Sequence, residues 1–253
     1  MISLKTNDWE LNNIEAILFD KDGTFIDSHI YWGKIIELRV NAVMKYYNID
    51  KNLFNKLCLS LGYDRNKKCL IPKGPIALLA REAVINSLVE ELKKQNIEAQ
   101  TTIIEEIFKD VHKEFLPQIY DYIKLIDDAK DLFDRLKKTN VKMAVVTSDT
   151  KANTEAILEY LGLKKYFSLV IGKDDCKKAK KTGEPALIAL EKLGVCANKT
   201  ISVGDAPMDY EMAKNAGLKG SILVSSGQIP LEGLKKLTNT YVLSLKELRV
   251  DND

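Results

Sequence analysis

Cysteine is scarce: Cys58, Cys69, Cys176 and Cys196 are the only four in 253 residues, and they lie far apart. No Cys-x-x-Cys pair is present, which argues against a zinc site or a disulfide framework and favours reduced, structural thiols. Long apolar runs are lacking as well. No stretch approaches the roughly 20 residues of a membrane span, and residues 1–10 carry Lys5, Asp8 and Glu10 instead of an apolar signal core. A cytoplasmic protein without membrane association is expected. Nor is there an excess of one charge: 38 Lys and Arg stand against 36 Asp and Glu, for a net charge of +2. Bulk electrostatics therefore give no attraction for nucleic acid, and any basic function must be local. Internal repeats and low-complexity tracts are absent too. What is present is 45% hydrophobic residues, enough for one large domain or for one domain with a smaller insert.

Short β-branched runs alternate with helical segments in the C-terminal half, the pattern of a parallel sheet wound by helices. Strands are expected at 16–19, 142–146, 169–171, 200–203 and 221–224, and helices at 129–139, 150–161, 185–193 and 209–216. Gly162, Gly194 and Gly217 each follow an apolar helical run as C-terminal caps, and Asp149 or Thr150 can cap the helix that follows. The interval between the first two of these strands far exceeds the roughly dozen residues a plain crossover needs. It reads as helical over 31–47, 53–61, 76–94 and 102–118, and so as an inserted domain. Residues 62–75, with Gly62, Pro72, Gly74 and Pro75, interrupt it as an exposed hairpin or loop. The tail, 249–253, is polar apart from Val250 and is expected to fray. The fold class is thus α/β, a doubly wound, mostly parallel, Rossmann-like sheet over 1–28 and 122–253, with an α-helical insert over 29–121.

The chemistry gathers at strand ends. Ile17-Leu18-Phe19 delivers Asp20 and Asp22, followed by Gly23 and Thr24. Two carboxylates one residue apart can share a divalent cation and divide the work of nucleophile and proton donor. Gly23 lets the backbone turn and its amide approach an anion, and the Thr24 hydroxyl can pin the loop. Taken alone, the same residues would serve as an Asp-Gly turn. Thr147-Ser148-Asp149 follows the second strand, where hydroxyls and amides can receive phosphate oxygens or simply cap a helix. Gly204-Asp205, with Asp209 beyond it, follows the fourth strand; it is either a turn or an acidic cluster able to hold Mg²⁺ with Asp20. Ligands of open parallel sheets bind beyond the carboxyl ends of strands, so the clusters support one another. The run Lys177-Lys178-Ala179-Lys180-Lys181-Thr182-Gly183-Glu184-Pro185 reads as a solvated basic loop residue by residue. Four carboxylates and a phosphate dianion nevertheless require a cation, so one lysine should turn inward.

Together, Ile17-Leu18-Phe19-Asp20-Lys21-Asp22-Gly23-Thr24, Val146-Thr147-Ser148, the lysine run and Ser202-Val203-Gly204-Asp205-Ala206-Pro207-Met208-Asp209 resemble the four ordered motifs of the haloacid dehalogenase-like hydrolase superfamily. The resemblance is to its phosphoglycolate phosphatase-like branch, and the helical insert resembles that family's C1 cap. It implies an Mg²⁺-dependent phosphatase acting on a small phosphorylated metabolite. Asp20 would be the nucleophile that forms an aspartyl phosphate, and Asp22 the acid/base that also offers its backbone carbonyl to the metal. Asp205 would be a metal carboxylate, and Asp209 a ligand through water or an orienting partner. Thr147, Ser148, Gly23 and a lysine would receive the phosphoryl oxygens. The family's spacing selects Lys180, four residues before Glu184. Lys181 and Gly183 replace the family's usual prolines, which leaves Lys177, Lys178 and Lys181 as substitutes.

Substrate identity would be read by the insert, where Lys73 in its Pro-Lys-Gly-Pro turn is a candidate for an oxyanion contact; Tyr63, Arg65 and Arg81 are others. A phosphosugar mutase would use the same two aspartates. The histidine that related mutases carry after the first motif is replaced by Trp32, which favours hydrolysis. A phosphorylatable, non-enzymatic binding protein is the alternative from another class. The chain is expected to act as a monomer or homodimer.

Overall fold

The computed structural model describes residues 1–76 and 78–252. By its internal contacts the chain divides into two units, Met1–Asp27 with Leu125–Asp253, and Ser28–Lys124. The larger unit begins with β1 (Ile2–Lys5), β2 (Glu10–Ile14) and β3 (Ala16–Phe19). The smaller unit holds α1 (Ser28–Tyr46), α2 (Phe54–Ser60), β4 (Tyr63–Asp64), β5 (Cys69–Leu70), α3 (Arg81–Lys94) and α4 (Thr101–Phe115). The larger unit resumes with α5 (Ala129–Lys137), β6 (Lys142–Val146), α6 (Lys151–Tyr160), β7 (Leu169–Ile171) and α7 (Glu184–Leu193). It continues with β8 (Thr200–Gly204), α8 (Pro207–Asn215), β9 (Gly220–Val224), α9 (Leu231–Leu234), β10 (Tyr241–Val242) and β11 (Arg249–Asn252).

All four residues of β3 are fully buried, as a strand covered by helices on both faces must be. It sits inside a six-stranded sheet of order β10-β9-β8-β3-β6-β7, parallel throughout. The chain builds outward from β3 through β6 and β7, then returns to its other side through β8, β9 and β10. The carboxyl end of β3 is therefore where the winding reverses, the place where open α/β sheets form a ligand crevice. One face of the sheet packs Ala16, Leu18, Ala144 and Val146 against Ala186 and Ala189 of α7 and Met212 of α8. On the larger unit's aromatic side, Phe133 of α5 meets Phe19, Phe25 and Phe167 with ring centroids 5.3, 5.4 and 5.1 Å apart, all edge-on. Edge-on contacts suit the ring quadrupoles, and through Phe25 they anchor the loop that leaves β3.

One expectation at the chain ends is corrected. Residues 249–252 do not fray: β11 pairs antiparallel with β1, which pairs with β2, in a separate three-stranded sheet. The apolar side chains of Ile2 and Leu4 are buried there, and main-chain bonding to β1 orders a polar tail that has little side-chain burial of its own. The two-residue strand β10 falls in the short apolar run Tyr241-Val242-Leu243 and is not among the strands expected from the sequence.

Within the smaller unit, Ile36, Val40, Val43, Leu57, Leu88, Ile104 and Phe108 form a buried helical core. The helix expected at 76–94 begins only at Arg81. The Pro75 carbonyl accepts the amides of Leu78 and Leu79 in a turn, and Ala80 is extended, so the backbone is diverted before it can enter a helix; Ala77 lies outside the described residues. The helix expected at 102–118 runs as α4 from Thr101 to Phe115 and then tightens into a 3₁₀ turn, because Pro117 has no amide hydrogen to continue the ladder. Residues 63–70 form the expected hairpin, β4 against β5, and the Leu70 amide donates to His29 Nδ1 at 3.0 Å.

Arg39 of α1 is buried with its guanidinium 4.6 Å from the Phe108 ring centroid. Among the described residues no carboxylate pairs with it and its Nε has no acceptor. Burial, aided by the like charge of Arg81, pulls its pKa down to about 10. A desolvated charge without a counter-charge costs stability, and a hydrophobic side chain of similar reach relieves it. Arg39→Met should accordingly raise stability by about 1–3 kcal/mol, checked by denaturant unfolding of the full chain; a loss of stability would mean that the charge is compensated.

Candidate active site

The loop after β3 is wound around one carbonyl. The oxygen of Lys21 accepts the amides of Thr24, Phe25 and Ile26, and the Gly23 amide donates to the Ile26 carbonyl. Gly23 has φ +89°, and a Cβ there would run into the Asp205 carboxylate, so glycine is required on both counts. Asp20 is held in register by its amide, which donates to Val203 of β8 at 2.8 Å. The buried Thr24 hydroxyl lies 3.4 Å from Asp20 Oδ2 and 3.5 Å from Asp205 Oδ1, spanning the two strand ends.

Lys180 is the lysine of the basic run that turns inward. It is 6% exposed, and its Nζ lies 2.5 Å from Asp20 Oδ1 and 2.6 Å from Asp209 Oδ1. A 3₁₀ turn over Lys180–Thr182 aims it, closed by Gly183 at φ +85°. Gly183 packs against Asn215 and Ala216 of the α8 end, where a Cβ would clash, and Asn215 donates to the Lys181 carbonyl at 2.8 Å. The two positions that depart from the family's prolines are thus met by a left-handed glycine and a side-chain clasp. Lys178 instead pairs with Glu184 at the surface. Asp209 is 1% exposed; its Oδ2 accepts the Ala206 amide at 3.0 Å, which locks the turn from β8 into α8.

Asp20, Asp205 and Asp209 present carboxylate oxygens within 4.8 Å of one another. Burial raises the Asp205 pKa well above the usual carboxylate range, and the charges of Asp20 and Asp209 push the same way. Burial also raises Asp20, against the pull of Lys180. For Lys180 burial works to lower the pKa, but the carboxylates of Asp20 and Asp209 prevail and raise it. One lysine among three carboxylates, two of them buried and that of Asp20 nearly so, leaves negative charge in excess. Their hard oxygens fit a divalent cation of the Mg²⁺ kind, which would neutralise that charge.

Asp22 is engaged separately. Lys21, only 1% exposed, places Nζ 2.8 Å from each of its carboxylate oxygens and 3.2 Å from Asp149 Oδ2. Thr147 is buried, and its Oγ1 accepts the Asp149 amide at 3.1 Å. Ser148 is exposed, with Oγ 3.7 Å from Met208 Sδ. Lys73 belongs to the smaller unit and is exposed there, as is Arg81. Arg65 is committed to Glu37 at 2.8 Å and to Asn55 at 2.6 Å, and Tyr63 is buried against Gly33.

Two residues of this site went unassigned from sequence. Lys21 lies between the aspartates, and a lysine in so buried a loop demands carboxylate partners, but spacing alone does not say which. Ser226 donates to the Gly23 carbonyl at 2.7 Å from the loop after β9; the small hydroxyl pair Ser225-Ser226 at a strand's carboxyl end was its only signal.

A wound parallel sheet whose central strand ends carry buried aspartates and an inward lysine defines an α/β enzyme with an acidic, cation-ready active site. Residues 14–217 match the haloacid dehalogenase-like hydrolase family. The chain is 29% identical over 232 residues, 91% of its length and 90% of the relative's, to a protein provisionally named pyrophosphatase PpaX in Caldanaerobacter subterraneus subsp. tengcongensis. It is 30% identical over 209 residues, 83% of its length and 84% of the relative's, to the phosphoglycolate phosphatase of Aquifex aeolicus. A structure provisionally named phosphoglycolate phosphatase from Haemophilus somnus superposes with a TM-score of 0.70 at 19% identity, covering 92% of this chain and 96% of that one. The chain belongs to the haloacid dehalogenase-like hydrolase family, and within it to the phosphatases.

Proposed function

We propose that this phosphatase hydrolyses a small phosphate monoester with Mg²⁺ through an aspartyl phosphate on Asp20, and that the smaller helical unit serves as its cap. The observation that carries this reading is the Lys180 ammonium set between Asp20 and Asp209 beside Asp205. Asp20, fixed by the β8 ladder and by Lys180, is the nucleophile, and its second oxygen is left for the metal. Asp20, Asp205 and the Asp22 carbonyl would hold Mg²⁺, which when bound supplies charge neutralisation at the phosphoryl oxygens. Lys180 and Thr147 receive those oxygens, the expected Gly23 amide being engaged instead by the Ile26 carbonyl at 2.8 Å, and Asp209 keeps Lys180 in place. Asp22 protonates the leaving alcohol oxygen and then takes the proton of the attacking water. Burial raises the Asp22 pKa, against Lys21, in keeping with a carboxyl that gives and recovers a proton.

The names of the relatives suggest small anionic substrates, phosphoglycolate and pyrophosphate, and leave a phosphosugar as the third class to test. The experiment is Mg²⁺-dependent phosphate release from a panel containing all three, together with other small monoesters. Turnover of monoesters is expected. Release from pyrophosphate alone would replace the monoester reading with an anhydride one, and conversion of a sugar phosphate to its isomer without release would replace hydrolysis with mutase chemistry.

A further inference from the structure

We infer that Lys21 is a positioning residue for Asp22, clamped by Asp149 so that the carboxyl group that exchanges the proton faces one direction. The inference rests on the covalent route proposed above. Lys180 serves the nucleophile, whereas Lys21, the neighbour of both aspartates in sequence, turns to Asp22 with contacts of 2.8 Å to both carboxylate oxygens. Contact with both oxygens removes the rotation about the last side-chain bond that a single hydrogen bond would allow. Burying an ammonium is costly unless it is well paired, and Lys21 is paired twice, the second time with Asp149 at 3.2 Å. Asp149 is itself fixed: Oδ1 accepts the Thr150 amide at 2.7 Å and Oδ2 accepts Asn153 Nδ2 at 2.6 Å, both at the start of α6. The Lys21 carbonyl meanwhile holds the turn that follows. The chain Asp22–Lys21–Asp149–Asn153 therefore ties the loop after β3 to the helix after β6, and the direction of Asp22 is set by two elements of the sheet.

Asp22 is needed unequally in the two half-reactions. In the first, Asp20 bonds to phosphorus, the bond from phosphorus to the alcohol oxygen breaks, and Asp22 gives that oxygen a proton. In the second, a water oxygen bonds to phosphorus and the bond from phosphorus to Asp20 breaks, its electron pair returning to the Asp20 carboxylate. The water's proton passes to Asp22, which restores the starting state. With p-nitrophenyl phosphate the leaving oxygen is stable as an anion, so the first half-reaction has little need of Asp22 while the second keeps it.

Lys21→Met should therefore form the aspartyl phosphate from p-nitrophenyl phosphate at close to the normal rate and break it down roughly 10–100-fold more slowly. Rapid quench with Mg²⁺ present would show a burst of one equivalent of p-nitrophenol and a phosphoenzyme that accumulates. Asp149→Asn, a change at a partly exposed side chain, should slow the same step by a smaller factor and add nothing in the double variant. It carries the test if Lys21→Met does not fold. Breakdown at the wild-type rate, or equal slowing of both half-reactions, would overturn the inference. Turnover by Asp20→Asn would remove the covalent route first and the inference with it, which tells the two failures apart.

Discussion

Asp20→Asn is expected to lower phosphate release by about four to six orders of magnitude, the scale seen when a nucleophile that works as part of a unit is removed. Folding should survive. The asparagine keeps the shape of the side chain, the main-chain bond from residue 20 to Val203 is untouched, and one buried charge leaves a site that already has negative charge in excess. Lys180 then loses one of its two carboxylates and keeps Asp209 at 2.6 Å, so its ammonium is not orphaned. The measurement is phosphate release from the preferred monoester beside a thermal melt of the same sample. Activity within tenfold of the wild type in a folded variant would show that Asp20 is not the phosphoryl acceptor. Binding of substrate by that inactive variant would separate lost chemistry from lost affinity.

The core strands were readable because each is a short, largely apolar run buried on both faces, and β3, β6 and β7 begin and end where those runs do. Asp20, Asp205 and Asp209 could be assigned to one place for a related reason: each follows a strand, and parallel strands present their carboxyl ends together. Lys180 was harder. In a run of four lysines the local pattern is that of a solvated loop; the charge balance of the site requires one of them inside, and only the resemblance to the family's spacing singled out Lys180. What selects Lys180 is the Gly183 turn against Asn215 and Ala216, a tertiary contact with no periodic trace in the sequence. The sheet of β1, β2 and β11 was hidden because it joins the two ends of the chain: most of its polar residues are exposed, and the pairing of β1 with β11 is main-chain bonding across nearly the whole sequence. Lys21 shows the same limit at the scale of one side chain. Its burial follows from its place in the loop, but its choice of Asp22 and Asp149 over Asp20 depends on where α6 begins.

Asp205→Asn should make the metal-free protein more stable while removing its response to Mg²⁺. Asp205 is 7% exposed, and burial, followed by the charges of Asp20 and Asp209, raises its pKa well above the usual carboxylate range. A carboxyl group whose pKa is higher in the folded chain than in the unfolded one binds more protons when folded. Its contribution to stability therefore falls as pH rises from the unfolded value through the folded one, and at pH above both the full penalty is in force. Asparagine cannot ionise, so the variant escapes that penalty by about 1–3 kcal/mol, or some 2–4 °C in melting temperature per kcal/mol for a chain of this size. The wild type should regain the deficit when Mg²⁺ is added: a ligand at a hundred times its dissociation constant stabilises by about 2.7 kcal/mol. The variant should gain much less and release no phosphate. Melts in EDTA and in Mg²⁺, each at pH 5 and pH 8, test every part of this. A metal-free variant less stable than the wild type at pH 8 would mean that Asp205 is compensated within the chain. An Mg²⁺ shift of equal size in both proteins would place the cation elsewhere.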